Sequence, residues 1–115
     1  MQIRERWREF FDNYDVMLMP VQPRGAIPHD HSLPQWERTV EIDGVARPYL
    51  DLFSWTGPAG AGMLPSTVVP IGLGDDGLPI GVQVVGPYLH DRMTLQAARL
   101  IARLRGGCPR PALAK

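Results

Sequence analysis

The segment from Leu64 to Pro87 constrains the fold more than any other part of this 115-residue chain. Two short apolar runs, residues 66–72 and residues 80–86, flank the sequence Gly74-Asp75-Asp76-Gly77. This Gly- and Asp-rich link has the chemistry of a tight turn, so the segment predicts two paired strands. The two aspartates are adjacent and point in different directions, so we interpret them as turn formers rather than as an acid/base pair.

The second run alternates in a way that assigns its side chains to two faces. Val82 and Val84 are predicted to face one way, and Gln83 and Val85 the other. The glycines at its ends, at positions 81 and 86, mark bulges or close backbone contacts.

Helices are predicted towards both ends of the chain. Residues 2–13 and residues 91–105 carry apolar side chains at intervals of three and four. Asn13 is a plausible C-cap and Asp91 a plausible N-cap. The predicted packing stripes are Ile3, Trp7, Phe10, Phe11 and Tyr14 in the first helix, and Leu95, Ala98, Ile101 and Ala102 in the second.

Between these parts the sequence predicts shorter elements. The apolar run in residues 14–19 predicts a strand covered on both faces, which Pro20 ends. Residues 20–45 are irregular, because four prolines oppose regular structure, although Asp43-Gly44 suits the turn of a small hairpin, 39–42 with 45–48. A short helix is predicted at residues 49–56. The glycine-rich run 57–62 is interpreted as a turn, since it lacks the Gly-Lys-Ser/Thr ending of a phosphate-binding loop.

Composition limits the class of protein. The chain has 12 basic residues (Lys and Arg together) and 12 acidic residues (Asp and Glu together), and this balance argues against a nucleic-acid binder or an anionic-membrane binder. Cys108 is the only cysteine, so no intrachain disulfide forms, and a reducing cytoplasm fits. We expect a single α/β domain over residues 1–115, with a small mixed sheet, a helix near each end and a flexible tail at 106–115.

Several segments in the right order resemble one enzyme family. The helix leading into Tyr14-Asp15-Val16-Met17-Leu18-Met19-Pro20, the run from Gly62 to Gly72, and Gly77-Leu78-Pro79-Ile80-Gly81-Val82-Gln83-Val84-Val85-Gly86-Pro87 resemble the C-terminal segment of the amidase signature family. Asp91, Thr94, Leu95 and Ala98 match the helix that follows. The resemblance implies part of a large α/β/α fold in an enzyme that hydrolyses amides with a Ser/Ser/Lys triad.

The resemblance also implies that the catalytic machinery lies N-terminal to everything in this chain. No Gly-Gly-Ser-Ser-like run occurs, and the only lysine is Lys115, the last residue. A lysine base must be neutral, which requires burial or nearby positive charge, and a terminal lysine stays solvated and protonated. We therefore expect no catalytic residue, no metal ligand and no cofactor in this chain, and inactivity of the chain alone.

By the same analogy, residues 22–56 lie near the substrate entrance, and Trp36 and Trp55 are candidates for lining an acyl-side pocket. Two alternatives stay open. One is a stand-alone interaction or accessory module on an amidase-derived scaffold. The other is a metal-dependent hydrolase using His29-Asp30-His31, whose further groups would be His90, Asp91 and Glu37. The expected partner is an N-terminal amidase portion or a second copy of the chain, because strands without neighbours leave sheet edges bare.

Overall fold

A computed structural model describes residues 2–107 and residue 110, and places three helices and five strands among them. The helices are α1 (Gln2–Phe11), α2 (Gly57–Gly62) and α3 (Asp91–Leu104). The strands are β1 (Met17–Pro20), β2 (Thr39–Ile42), β3 (Val45–Pro48), β4 (Ser66–Leu73) and β5 (Pro79–Val85). Two 3₁₀ turns occupy Gln35–Glu37 and Tyr49–Phe53.

The main sheet has the order β1-β5-β4, with both neighbours antiparallel to the central strand β5. The strands predicted at 66–72 and 80–86 are confirmed, as is their hairpin pairing. The register slips between Pro70 and Gly72 on β4, which pair with Gly81 and Ile80 on β5. The bulge predicted near Gly81 is therefore found, on the strand opposite that glycine. The α/β class is confirmed, whereas the sheet that was expected to be mixed has only antiparallel strand pairs in residues 2–107.

Helix α3 covers one face of the sheet. Val84 is fully buried there and clusters with Val69 and Ala98. Thr94 is also buried, and its hydroxyl donates to the Asp91 carbonyl at 2.8 Å. The Thr94 hydroxyl oxygen also lies 2.8 Å from the hydroxyl of Thr67 on β4. These hydrogen bonds satisfy the buried hydroxyl of Thr94 between helix and sheet, and they set the rotation of α3.

Helices α1 and α2 cover the opposite face. Val85 is fully buried there with Met19, Ala59 and Leu64, and Trp7 of α1 packs against this cluster. The predicted alternation along β5 is therefore confirmed, since Val84 and Val85 lie in different clusters. The sheet is the middle layer of an α/β/α arrangement, which is how a two-sided apolar sheet excludes water.

Helices α1 and α3 differ from the prediction in three respects. Helix α1 ends at Phe11, and Asn13 has no left-handed backbone; its amide reaches back to the Glu9 carbonyl instead. Asp91 is the first residue of α3 and makes no side-chain cap, because the helix begins one residue earlier than expected. Leu95 is exposed, since Thr94 turns the adjacent face of α3 towards the sheet.

The packing stripe of α1 is also narrower than predicted. Trp7 and Phe11 reach the core, whereas Ile3 and Tyr14 stay exposed.

The predictions of a doubly covered strand and of a glycine-rich turn are corrected as well. Within 14–19 only Met17 onward is strand, and Leu18 is 55% exposed, because α3 packs on β4 and β5 rather than on β1. The glycine-rich run is the short helix α2, which Met63 ends in a left-handed conformation at φ 53°. Gly62 is required there, since a Cβ would lie 2.9 Å from Trp7.

The small hairpin is confirmed as β2 and β3, with Asp43 and Gly44 at positive φ in its turn. The helix predicted at 49–56 is the shorter 3₁₀ turn Tyr49–Phe53. The hairpin and both 3₁₀ turns lie in the excursion between β1 and α2. The predicted flexible tail at 106–115 falls largely outside the described residues.

Gly86→Ala tests the close approach of β5 to α3. A Cβ at Gly86 would lie 2.7 Å from Cγ2 of Thr94, whose hydroxyl is already fixed by two hydrogen bonds. We expect the variant to lose about 1–3 kcal/mol of unfolding free energy in urea denaturation. Gly25→Ala, where no atom lies within 4 Å, is the matched control and should not lose stability. Equal midpoints for the two variants would contradict the close packing.

Candidate functional site

The two candidate pocket tryptophans lie in the excursion between β1 and α2. Trp36, on the 3₁₀ turn Gln35–Glu37, is 77% exposed. Trp55 follows the second 3₁₀ turn and is 39% exposed. The two 3₁₀ turns contact each other, but no contact between the two tryptophans is found among the described residues.

Gln83 is the buried polar centre of the structure, and it ties Trp55 to the sheet. Its Nε2 donates to the carbonyl oxygens of Pro20 and Trp55, each at 2.8 Å. Its Oε1 accepts from the Ser66 hydroxyl at 3.0 Å. Three segments distant in sequence are thereby fixed to β5: the end of β1, the start of β4 and the backbone of Trp55.

Sequence reasoning placed Gln83 on the correct face of β5 but missed this role. The available signal was an uncharged amide in an otherwise apolar run, since buried side-chain amides in folded proteins are almost always hydrogen-bonded. Its partners are two backbone carbonyls and a serine hydroxyl, and no sequence pattern identifies which carbonyls they are.

Two of the described serines make hydrogen bonds that could matter for nucleophilic chemistry, and neither has an adequate base. Ser66 donates to the neutral amide oxygen of Gln83. Ser32 donates to Oδ1 of Asp30 at 2.6 Å, and its hydroxyl and backbone N–H together lower the pKa of that carboxyl, which makes it a weaker base. Lys115 and Cys108 lie outside the described residues.

The metal site considered from the sequence is not formed. His29 and His31 place their ring centroids 6.1 Å apart in one cleft, but within residues 2–107 no three His, Cys, Asp or Glu side chains come together as metal ligands. His90 lines a different cleft, beside Trp7 and Phe11 of α1. The alternating histidines alone do not create a site, because the third ligand is in another part of the fold.

Gln83→Met tests the buried polar centre. The substitution keeps the length of the side chain but leaves two carbonyls and one hydroxyl without their partner, so we expect a loss of about 2–3 kcal/mol in unfolding free energy. The backbone amides near Trp55 should also shift in the NMR spectrum, because that segment loses its anchor. Gln35→Met, on an exposed 3₁₀ turn, is the control. A variant as stable as that control would show that the three hydrogen bonds contribute nothing.

No helix in residues 2–107 has the length and apolar character needed to cross a membrane.

Known proteins resemble this chain over only part of their own length. A glutamyl-tRNA(Gln) amidotransferase subunit of Haloarcula marismortui is 31% identical over 100 residues, which are 87% of this chain and 21% of that protein. Fatty-acid amide hydrolase 2-A of Danio rerio is 31% identical over 95% of this chain and 18% of its own length. The chain thus spans about a fifth of the length of the curated relatives it matches.

Among solved structures, a glutamyl-tRNA(Gln) amidotransferase subunit from Thermotoga maritima superposes with a TM-score of 0.72 at 27% identity, covering 97% of this chain and 23% of that one. The family model described as Amidase matches residues 1–95. The order of the matched segments, the α/β/α packing and these relatives agree: the chain belongs to the amidase family.

Proposed function

We propose that this chain is the C-terminal portion of an amidase-type amide hydrolase, and that it is inactive until an N-terminal portion supplies the Ser/Ser/Lys machinery. The observation that carries the proposal is the open edge of the sheet. In the described residues strand β1 has a strand neighbour on one side only, and its Leu18 is exposed beside the core. The proposal holds whether the N-terminal portion is on the same polypeptide or on another.

The ratio of buried to exposed apolar side chains supports the proposal. Among the described residues nine hydrophobic side chains are buried, whereas nineteen large ones are exposed. Single exposed apolar residues are ordinary, but this many on a chain of this size is typical of a surface that another chain segment covers.

The outer edge of β1 suggests where such a segment would bind. Leu18 pairs across the sheet with the fully buried Val84, yet is itself 55% exposed. In the described residues β1 has a strand neighbour on one side only, β5. A bare strand edge beside an apolar face is a template for a further strand and a covering element.

The chemistry of the hydroxyl groups gives independent support. Ser32 and Ser66 donate to groups that are poor bases, so neither is activated as a nucleophile. Amide hydrolysis by this family therefore requires a serine and a neutral lysine supplied from outside the described residues. The contribution of this chain is a rigid scaffold centred on Gln83 and the surface excursion that carries Trp36 and Trp55.

Complementation of a split amidase tests the assembly. An amidase with its corresponding C-terminal segment removed should recover amide hydrolysis when it is co-expressed with this chain. Leu18→Arg should abolish recovery while the isolated variant keeps its secondary structure, because the charge would be buried under the element that covers this face of β1. Val45→Arg, on the separate hairpin and equally exposed, is the matched control.

Two results would contradict the proposal. Recovery with Leu18→Arg would show that the β1 edge is not the contact. A wild-type chain that forms a stable oligomer by itself and never complements would favour the stand-alone interaction module, since the same bare surfaces would then be buried between copies.

Trp36→Ala and Trp55→Ala test the acyl-side pocket in the complemented enzyme. We expect each to raise KM for an amide with an apolar acyl group about three- to ten-fold, with a smaller change in kcat, because lost apolar contact weakens ground-state and transition-state binding alike. Leu100→Ala, on the exposed side of α3, is the control for general loosening. The pocket assignment is wrong if neither tryptophan variant changes KM.

A further inference from the structure

A cleft of about 460 Å³ lies between the segment that follows β1 and the hairpin strand β2. This volume is in the range of small-molecule sites. Two arginines, two histidines and two acids line it: Arg24, Arg38, His29, His31, Asp30 and Glu41. Ile27, Val40 and Tyr49 form its apolar wall. The cleft is separate from Gln83 and is not explained by the proposed assembly.

Its two arginines are positioned by backbone carbonyls rather than by acids. Arg38 Nε donates to the Leu33 carbonyl, and Arg24 Nη1 donates to the Glu41 carbonyl. Neither guanidinium forms an ion pair with a carboxylate in residues 2–107. A guanidinium has five N–H donors, so each keeps most of its hydrogen-bonding capacity for a ligand.

Arg38 is the better placed of the two. It is half-buried, its guanidinium carbon lies 5.7 Å from the centroid of the Tyr49 ring, and the Tyr49 N–H donates to its carbonyl at 3.0 Å. A planar guanidinium held in this way loses little side-chain entropy on binding and matches the two oxygens of a carboxylate.

The two acids of the cleft differ in how they affect an anion. Asp30 accepts two hydrogen bonds from Ser32 on one oxygen, so part of its charge is already engaged within its own turn. Glu41 is exposed on the rim of the cleft, and its side chain makes no ion pair among the described residues. Both carboxylates oppose an anionic ligand, and Glu41 is the one whose charge can be removed without breaking the turn between Asp30 and Ser32.

We propose that this cleft binds a small organic carboxylate with an apolar body. Arg38 holds the carboxylate, Arg24 and the two histidines add donors at the rim, and the apolar body lies against Ile27, Val40 and the Tyr49 ring. The site goes beyond the proposed function, because it is formed entirely within this chain and needs neither catalysis nor the N-terminal portion.

Titration of the ¹⁵N-labelled 115-residue chain with benzoate tests the site, with the neutral isostere benzamide as the matched ligand. Benzoate should shift amides of residues 27–31 and 38–41 with a dissociation constant of about 1 mM, and benzamide should bind at least about ten-fold more weakly. Equal binding of the two ligands, or shifts confined to other residues, would overturn the proposal.

Three variants locate the contact. Arg38→Gln should weaken benzoate binding about ten-fold or more, and Arg99→Gln, on the exposed face of α3, should leave it unchanged. Glu41→Gln should tighten binding about two-fold or more, because it removes the opposing charge. The Glu41→Gln variant tests the proposal even if the Arg38→Gln variant does not fold. An unchanged or weaker benzoate affinity in Glu41→Gln refutes the assignment.

Discussion

The structure depends on one strand that is buried on both faces. β5 lies between β1 and β4, and its successive residues Val84 and Val85 fill two separate cores. Burying both faces of a strand also buries any polar group on it, and the cost of placing the Gln83 amide there is offset by three hydrogen bonds. Because those bonds end on Pro20, Trp55 and Ser66, this one side chain ties both ends of the 21–56 excursion to the sheet.

The arrangement explains why a segment so short resembles part of a larger enzyme. The central strand is complete, with covering helices and satisfied polar groups, but the strands beside it are not. Leu18 on β1 is exposed directly opposite the buried Val84, which is the pattern of a sheet interrupted at its edge. The chain spans about a fifth of the length of its curated relatives, which accords with the proposed covering of this edge by another segment.

Much of the fold was predictable because it depends on local chemistry. The Gly74–Gly77 turn, the Asp43-Gly44 hairpin and the helix patterns near both ends follow from turn preferences and apolar spacing, and the structure confirms them. The predictions were wrong where tertiary contacts decide. The glycine-rich run forms the helix α2, whose Gly62 lies against Trp7 and Leu64, and Leu95 is exposed because Thr94 is hydrogen-bonded to Thr67.

The candidate sites divide in the same way. The sequence by itself determined the family, the strand pair with its two faces, and the lack of a lysine anywhere before residue 115, because these depend on residue order and residue type. Only the tertiary structure decided that His29 and His31 lie in a different cleft from His90, that Gln83 holds the backbone of Trp55, and that Arg24 and Arg38 line one cleft. The physical reason is that such contacts join residues far apart in the chain, and their geometry is set by packing that no local pattern encodes.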